Sequence, residues 1–191
     1  MWIIYRPYDG QLRDYLTSLS ALSARESRGR ELLESITGKE VQLVLDPTLL
    51  LTGEQWGELA AEPDRKEPYI LCYFISDPGE VGQRARELHE RTGWPIVQLA
   101  GIRRALPGAA TVVFDAGPRE FLGLFRNAAC VCTNSFHGSV FSMQFDRPFF
   151  TAMSPKEKAE PAYSRIYSLL SRLGCADRIV GMPDTAAADA E

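Results

Sequence analysis

Short apolar runs alternate along this chain with segments of helical periodicity. Each run is four to seven residues long and is bounded by Gly, Pro or Asp; the runs span residues 41–46, 69–75, 95–100, 111–115, 130–133 and 148–152. Their hydrophobicity is continuous rather than alternating, which is typical of strands covered on both faces, as in a parallel sheet. Strands that alternate with helices predict an α/β fold with a doubly wound parallel sheet and right-handed crossovers. Ligands of such folds bind at the carboxyl ends of the strands.

The segments of helical periodicity carry matching start and stop signals. They cover residues 27–38, 78–93, 117–128 and 164–174. Gly38 and Gly93 suit helix C-termini, and Pro118 suits the first turn of its helix. The last segment places its apolar residues on one face and so predicts a packed amphipathic helix: Ile166, Leu169, Leu170 and Leu173.

Length and charge exclude several classes of protein. A chain of 191 residues, 45% hydrophobic, has the size of one folded domain. A formal net charge of −4 argues against nucleic acid or an anionic membrane surface as a partner, so any bound anion must be held by a local site. No segment approaches the roughly 18 consecutive apolar residues of a transmembrane helix, and the apolar N-terminal stretch is too short for a signal peptide.

The four cysteines are Cys72, Cys130, Cys132 and Cys175. They show no CxxC pairing of the metal-binding kind, and three of them lie in apolar or strand-like contexts. Reduced cysteines of this kind favour a cytoplasmic location. We therefore expect no metal site and no disulfide framework.

The expected domain organisation has three parts. Residues 1–22 precede the first clear α/β unit and read as an N-terminal appendage or the remnant of a preceding domain. Residues 23–183 form the α/β domain, and residues 184–191 read as a tail.

One junction between a strand and a helix has the features of an anion site. The stretch "ACVCTNSFHGSVFSMQF", residues 129–145, predicts a buried strand over 130–133 and a helix capped by Asn134 or Ser135. His137 and Gly138 then lie in the first helical turn, where N–H groups and the helix dipole favour a phosphate or a carboxylate. Gly138 would also let a ligand approach the backbone closely. Spacing alone equally allows a satisfied histidine near the surface beside a tight helix contact at Gly138.

The residues of this junction resemble a known family. "TNSFHGSVFSMQFDRPFF" is similar to the signature of the polysaccharide pyruvyl transferases, in which a threonine, an acidic residue and Ser-Phe-His-Gly open a helix that leads into a Pro-Phe strand. Further blocks follow in the family's order, at residues 20–56, 67–77, 117–138 and 163–174. The resemblance covers nearly the whole chain, from about Leu19 to Val180. This chain has Asn134 where the family usually has an aspartate.

The resemblance implies a GT-B-like enzyme with two Rossmann-like halves. Such an enzyme moves the pyruvyl group of phosphoenolpyruvate onto two hydroxyls of a sugar in a cell-envelope exopolysaccharide and forms a ketal, without a cofactor or a metal. The match is to the C-terminal, donor-binding half, and we expect the acceptor half to be missing from this chain. A separate N-terminal-half subunit or a homodimer would then complete the enzyme, with an apolar face around Trp2, Ile3 and Ile4 as a candidate contact.

The resemblance also implies roles for individual residues. The catalytic candidates are His137, which would transfer a proton or donate to the phosphate, and Arg25 in "SARES", which would clamp the donor's carboxylate or phosphate. The candidate substrate-binding residues are Ser135, Gly138, Asn134, Arg147 and Arg165. Without the resemblance, Ser135 is equally well read as an N-cap, and the three arginines as surface residues. His89 and Asp46 are expected to be a helix-surface histidine and a turn residue.

Two other functions remain open at this point. The chain could be a catalytically incomplete binding or assembly module, because such a module would keep the same anion site. It could also be the donor domain of a glycosyltransferase that uses a nucleotide sugar, because one fold supports several functions.

Overall fold

The structure is a computed structural model that describes residues 9–101, 105–161 and 164–182, without the side chains of Asp9 and Ala110. It divides the chain into two compact units, Met1–Leu50 and Leu51–Glu191. The sequence boundaries after residues 22 and 183 stay predictions. The apolar residues Trp2, Ile3 and Ile4 and the expected tail at 184–191 lie outside the described residues.

The first unit contains a small parallel sheet and two helices. Its elements are α1 (Asp9–Ser18), β1 (Ser23–Ala24), α2 (Ser27–Thr37), β2 (Gln42–Leu43) and a 3-10 turn (Pro47–Leu49). β1 pairs with β2 in a two-stranded parallel sheet, and neither joins the large sheet within the described residues. The apolar run at residues 41–46 therefore provides two strand residues of a separate sheet, and its expected place in the large sheet is wrong. Gly38 ends α2 with a left-handed φ of 67°, as expected.

The second unit contains the large sheet and its covering helices. In chain order its elements are α3 (Gly53–Leu59), β3 (Ile70–Tyr73), α4 (Gly79–Thr92), β4 (Ile96–Leu99), β5 (Ala109–Val113), α5 (Pro118–Asn127), β6 (Cys130–Thr133), α6 (Phe136–Gln144), β7 (Phe149–Thr151), α7 (Pro155–Ala159), α8 (Arg165–Arg172) and a 3-10 turn (Ala176–Arg178). Among the described helices, none has both the length and the apolar character needed to cross a bilayer.

The described strands of this unit form one parallel sheet in the order β5–β4–β3–β6–β7. This is a Rossmann-like, doubly wound α/β sheet, and the predicted fold class is confirmed. The chain builds outwards from β3 to β5 and then returns to add β6 and β7 on the other side of β3. The order thus reverses between β3 and β6, and ligands of such sheets bind outside the carboxyl ends of the strands at that point.

Both faces of the sheet are buried, which explains the continuous hydrophobicity of the strands. Ile70 and Cys72 of β3 pack towards α4, against Val81. Leu71 points to the opposite face and joins a cluster that includes Phe125 of α5 and residues of α6 and α8. Burying one such side chain stabilises the fold by about 1.5–3 kcal/mol. The fully buried polar strand residue Gln98 is accommodated because its side-chain oxygen accepts a hydrogen bond from the Leu106 N–H.

The predicted helix signals are confirmed, with one exception at α8. Pro118 occupies the first turn of α5, and Gly93 ends α4 with a φ of 72°. Ile166 and Leu170 of α8 are buried, as the amphipathic pattern predicts. Leu173, however, is the C-cap of this helix and is 55% exposed. It was expected on the packed face, but the helix ends one residue too early to bury it.

The thiols differ strongly in their expected reactivity. Cys72, Cys130 and Cys132 are buried in neighbouring strands, whereas Cys175 is partly exposed. Burial raises the pKa of the Cys72 thiol, and a hydrogen bond with Cys130 followed by burial raises the pKa of Cys132. A thiol reagent should therefore label Cys175 in the native protein and the other three only after unfolding. Mass spectrometry of the labelled peptides measures this, and fast native labelling of Cys72 would contradict the arrangement of the sheet.

Candidate functional site

A cavity of about 800 Å³ lies at the carboxyl edge of the large sheet, beside the point where the strand order reverses. Its volume suits a small-molecule ligand. The wall is formed by the loop after β3, the start of α6, the segment from the end of β7 to α7, and the start of α8: residues 75–80, Asn134, Phe136, residues 152–155, Glu157, Lys158, Arg165 and Ile166. All of these belong to the second unit.

The start of α6 is held by Thr133 and Ser135. Ser135 is the N-cap, and its Oγ accepts a hydrogen bond from the Gly138 N–H at 3.3 Å. Thr133 Oγ1 accepts from the Ser135 N–H at 3.0 Å and donates to the Tyr73 carbonyl at 2.6 Å. The end of β3 and the start of α6 are thereby fastened to one side chain. Ser135 is buried, which agrees with its reading as a plain cap.

Gly138 is explained by close packing against the end of β6. A Cβ atom at this position would lie 2.3 Å from Thr133 Oγ1 and 3.0 Å from Thr133 Cβ. No side chain fits there without a shift of the helix or of the strand. The tight helix contact, one of the two interpretations that spacing allowed, therefore accounts for this glycine.

His137 is the second residue of α6 and is half-buried. Its ring meets that of Phe136 edge to face, with centroids 5.3 Å apart. Phe136 lines the cavity, and His137 lies next to that lining rather than within it. The histidine is thus at the helix N-terminus that borders the cavity, where the helix dipole favours an anion.

Asn134 lines the cavity and contacts the neighbouring loop. Its Oδ1 accepts from the Ile75 N–H at 2.9 Å. Its Nδ2 lies within hydrogen-bonding distance of the Ser76 carbonyl, the Ser76 hydroxyl and the Asp77 carbonyl, at 3.2, 3.0 and 3.0 Å. The side chain is directed at the β3–α4 loop and leaves the capping of α6 to Ser135.

Two cationic side chains line the cavity. Arg165, the first residue of α8, places its guanidinium carbon 5.2 Å from the centroid of the Phe136 ring. Lys158, near the end of α7, donates through Nζ to Glu80 of α4. Arg165 is half-buried, and stacking on an aromatic ring holds its planar group in one orientation.

The carboxylates of the lining have structural partners. Asp77 accepts from the Gly79 N–H at 2.8 Å, and Glu80 pairs with Lys158. Glu157 accepts from the Ser154 N–H at 2.9 Å and from the Ser164 hydroxyl at 3.1 Å, which links α7 to the N-cap of α8. These negative groups hold the walls of the cavity and, through Ser164, the start of the helix that carries Arg165.

Arg25 and Asp46 form an ion pair within the first unit. Arg25 Nη1 lies 2.5 Å from Asp46 Oδ2, and the Arg25 side chain is 40% exposed. Asp46 Oδ1 accepts from both the N–H and the hydroxyl of Thr48, at 3.1 and 2.6 Å, so this carboxylate caps the 3-10 turn. The expectation that Asp46 is a turn residue is confirmed. The role predicted for Arg25, to clamp the donor's carboxylate or phosphate, stays a prediction.

Arg147 lies far from the cavity along α6. It follows that helix and precedes β7, so it belongs to the amino-terminal edge of the sheet. Its Nε donates to the Phe145 carbonyl at 2.8 Å, which serves the turn between the two elements. Of Arg147 and Arg165, both predicted to be substrate-binding residues, the structure places Arg165 at the cavity and Arg147 away from it. The predicted binding roles stay predictions.

Sequence reasoning missed Lys158 and the β3–α4 loop. Lys158 lies in "PKEKAE", a charge run that usually marks a solvated surface, and no local signal separates it from such a surface. The loop "ISDPG" begins at Ile75, the last residue of the apolar run at residues 69–75, and its position after a strand was the available signal. That β3 and β6 are neighbours could not be read from periodicity.

The second histidine makes a local hydrogen bond, and no metal-binding cluster is found in the part of the chain that the structure describes. His89 shares a hydrogen bond of 2.7 Å between Nδ1 and the Trp94 carbonyl, at the C-terminal end of α4. In residues 9–101, 105–161 and 164–182, no group of three or more His, Cys, Asp or Glu side chains is arranged to hold a metal ion.

Comparison with known proteins gave one family. The family model described as polysaccharide pyruvyl transferase matches residues 2–157. The matched span contains the β3–α4 loop, the end of β6 and the whole of α6, and it ends before α8. A search of curated proteins found no match.

Proposed function

The chain belongs to the polysaccharide pyruvyl transferase family, and from this premise we propose that phosphoenolpyruvate binds in the cavity beside α6. Membership of the family implies pyruvyl transfer to a polysaccharide. We propose the identity of the donor, the cavity in which it binds and the part of the reaction that this chain carries out. The supporting observation is that Arg165 and the N-terminus of α6 with His137 border one cavity where the strand order reverses.

The ligand groups of the cavity match the charges of the donor. Phosphoenolpyruvate carries its carboxylate as C1 and its phosphate on the oxygen of the central carbon C2, so it needs two neighbouring anion-binding positions. Arg165 can hold one of them bidentately through its planar guanidinium. The first-turn N–H groups and dipole of α6 favour the other, and Lys158 can contribute a point charge if its ammonium turns from Glu80 to the ligand.

The reaction requires two proton transfers at the site. The methylene carbon of the donor gains a proton and becomes a methyl group, which makes C2 electrophilic. One sugar hydroxyl attacks C2 and loses its proton; a second hydroxyl also bonds to C2 as the bond from C2 to the phosphate oxygen breaks. One of the two hydroxyl protons replaces the proton taken by the methylene carbon, and the other leaves with the phosphate. His137 is our candidate to relay the proton at the donor.

We assign this chain the donor side of the reaction. The acceptor is a saccharide of a cell-envelope exopolysaccharide, and its binding residues come from a separate subunit or a second copy of the chain. The reaction takes place in the cytoplasm, where phosphoenolpyruvate is made.

Replacing Arg165 by alanine should weaken phosphoenolpyruvate binding about 10- to 100-fold. The change removes charge-assisted hydrogen bonds worth about 1.5–3 kcal/mol, and about 1.4 kcal/mol corresponds to a factor of ten. Arg165→Lys keeps the charge but loses the bidentate geometry. Its affinity for phosphoenolpyruvate should therefore lie between those of the wild type and Arg165→Ala. Isothermal titration calorimetry with phosphoenolpyruvate measures all three.

Arg172→Ala is the matched control, because Arg172 is an exposed arginine in the last turn of the same helix, about 10 Å along its axis. It should bind phosphoenolpyruvate as the wild type does. A wild-type protein that binds a nucleotide sugar and not phosphoenolpyruvate would overturn the proposed donor and favour a glycosyltransferase donor domain. Equal affinities for wild type and Arg165→Ala would remove Arg165 from the site.

A further inference from the structure

We propose that Asn134 is a positioning residue, whose carboxamide fastens the β3–α4 loop to the start of α6 and so fixes the wall against which the donor binds. The inference rests on the proposed function for the identity of the donor. The connection between loop and helix rests on the geometry alone, so the two can be tested separately.

The hydrogen bonds of Asn134 reach three consecutive residues of the loop. Its oxygen accepts a hydrogen bond from the Ile75 N–H at 2.9 Å. Its nitrogen lies within donating distance of the Ser76 carbonyl, the Ser76 hydroxyl and the Asp77 carbonyl, at 3.0 to 3.2 Å. These partners are 57 to 59 residues away in sequence. The contact is possible because β3 and β6 are neighbours with Tyr73 opposite Thr133, so the residue after Thr133 lies beside the residues after Tyr73.

The loop has few other attachments. Asp77 makes a local bond to the Gly79 N–H, and the Pro78 carbonyl accepts from the Gly82 N–H inside α4. Among the described residues, the long-range hydrogen bonds to residues 75–77 come from Asn134. Ile75 is 54% exposed, so little apolar packing holds this part of the wall. Within the described residues, the carboxamide therefore makes the main hydrogen-bonding connection between the loop and the start of α6.

Only an amide satisfies this set of partners. A carboxamide has one acceptor oxygen for the Ile75 N–H and two N–H donors for the oxygens of Ser76 and Asp77. An ionised carboxylate of the same shape keeps the bond to Ile75 but faces the two carbonyl oxygens without a hydrogen to donate. Asn134→Asp should thus retain half of the connection, and Asn134→Ala should lose all of it.

Hydrogen exchange followed by NMR tests the connection without any ligand. In Asn134→Ala, the Ile75 amide should exchange at least about tenfold faster than in the wild type, because its acceptor is gone. Amides of β3 and β6 should be unchanged. Asn127→Ala is the matched control: its Nδ2 donates to the Gly123 carbonyl at 3.0 Å within α5, so it loses one amide side chain elsewhere in the same unit. An unchanged Ile75 exchange rate in Asn134→Ala would overturn the inference.

Calorimetry with phosphoenolpyruvate tests whether the connection shapes the site. Asn134→Ala should bind about tenfold more weakly, since a displaced wall misplaces the groups that contact the ligand. Asn134→Asp should be weakened less, and Asn127→Ala, which loses an amide outside the cavity lining, should keep wild-type affinity. If Asn134→Ala shows faster exchange at Ile75 but unchanged affinity for phosphoenolpyruvate, the loop does not shape the site. That result would overturn the inferred effect of Asn134 on donor binding. If the wild type does not bind phosphoenolpyruvate, the proposed function fails and the exchange rates alone decide the inference.

Discussion

His137→Ala is expected to lower kcat for pyruvyl transfer by a factor of about 10²–10⁴, the usual loss when a general acid or base is removed. His137 is the residue at the α6 N-terminus that can carry a proton to or from the donor, and it lies directly beside the cavity lining. The rate is measured as phosphate released from phosphoenolpyruvate by the assembly that includes the acceptor-binding subunit or second copy, with a saccharide that has two suitably placed hydroxyls. Calorimetric affinity for the donor should change much less than kcat, because the α6 N-terminus and Arg165 remain.

The second histidine provides the matched control. His89 bonds to the Trp94 carbonyl at the far end of α4, and His89→Ala should lose about 1 kcal/mol of stability and retain its rate. A His137→Ala protein with wild-type kcat would remove the proton-transfer role. Loss of donor binding with unchanged kcat at saturation would instead make His137 a binding residue. The kinetic measurement must therefore separate the effect of His137→Ala on kcat from its effect on KM.

The fold was readable from the sequence because its main determinant is local. Each strand of the large sheet is mostly apolar and does not alternate between apolar and polar residues, and glycine or proline marks the helix ends at Gly93 and Pro118. The apolar run at residues 41–46 shows the limit of this signal. It has the same composition as the strands of the large sheet, but only Gln42 and Leu43 pair with another strand, and that partner is β1. Composition reports the tendency to be buried and does not report which strands are neighbours.

The candidate site was only partly readable because its residues come from separate segments. Position in the chain led to His137 and Asn134, since both follow a strand at its carboxyl end. The same reasoning could not show that Arg147, which is close in sequence, lies beyond the nine residues of α6, about 13 Å along the helix axis. Lys158 and the β3–α4 loop join the site through strand order and through the ion pair with Glu80. Neither the strand order nor this ion pair produces a recognisable pattern in the local sequence.

Thr133 makes the contacts that couple the strand edge to the site. Its hydroxyl donates to the Tyr73 carbonyl and accepts from the Ser135 N–H, and its side chain fills the space beside Gly138. The same residue thus sets the height of α6 above the sheet and the position of its capping serine. A change at this contact should move the helix N-terminus that borders the cavity, so stability and donor binding should respond together.

Gly138→Ala is expected to destabilise the protein by about 1–3 kcal/mol, the usual cost of overpacking a well-filled interior. The added Cβ would lie 2.3 Å from Thr133 Oγ1, and that oxygen cannot simply rotate away, because it holds two hydrogen bonds of 2.6 and 3.0 Å. Thermal or urea unfolding measures the loss. Calorimetry should show weaker phosphoenolpyruvate binding in the same variant, because α6 must shift to admit the methyl group.

Gly29→Ala is the control for a glycine in a helix without this contact. A Cβ at Gly29 of α2 would meet its nearest atom at 3.5 Å, so the change should be neutral or stabilising by up to about 1 kcal/mol. A double-mutant cycle with Thr133→Ala identifies the cause. If the clash with Thr133 is responsible, the double variant is less destabilised than the sum of the two single variants. If Gly138→Ala is as stable as the wild type, the close packing of α6 on β6 is wrong, and the strand-to-helix junction must be placed differently.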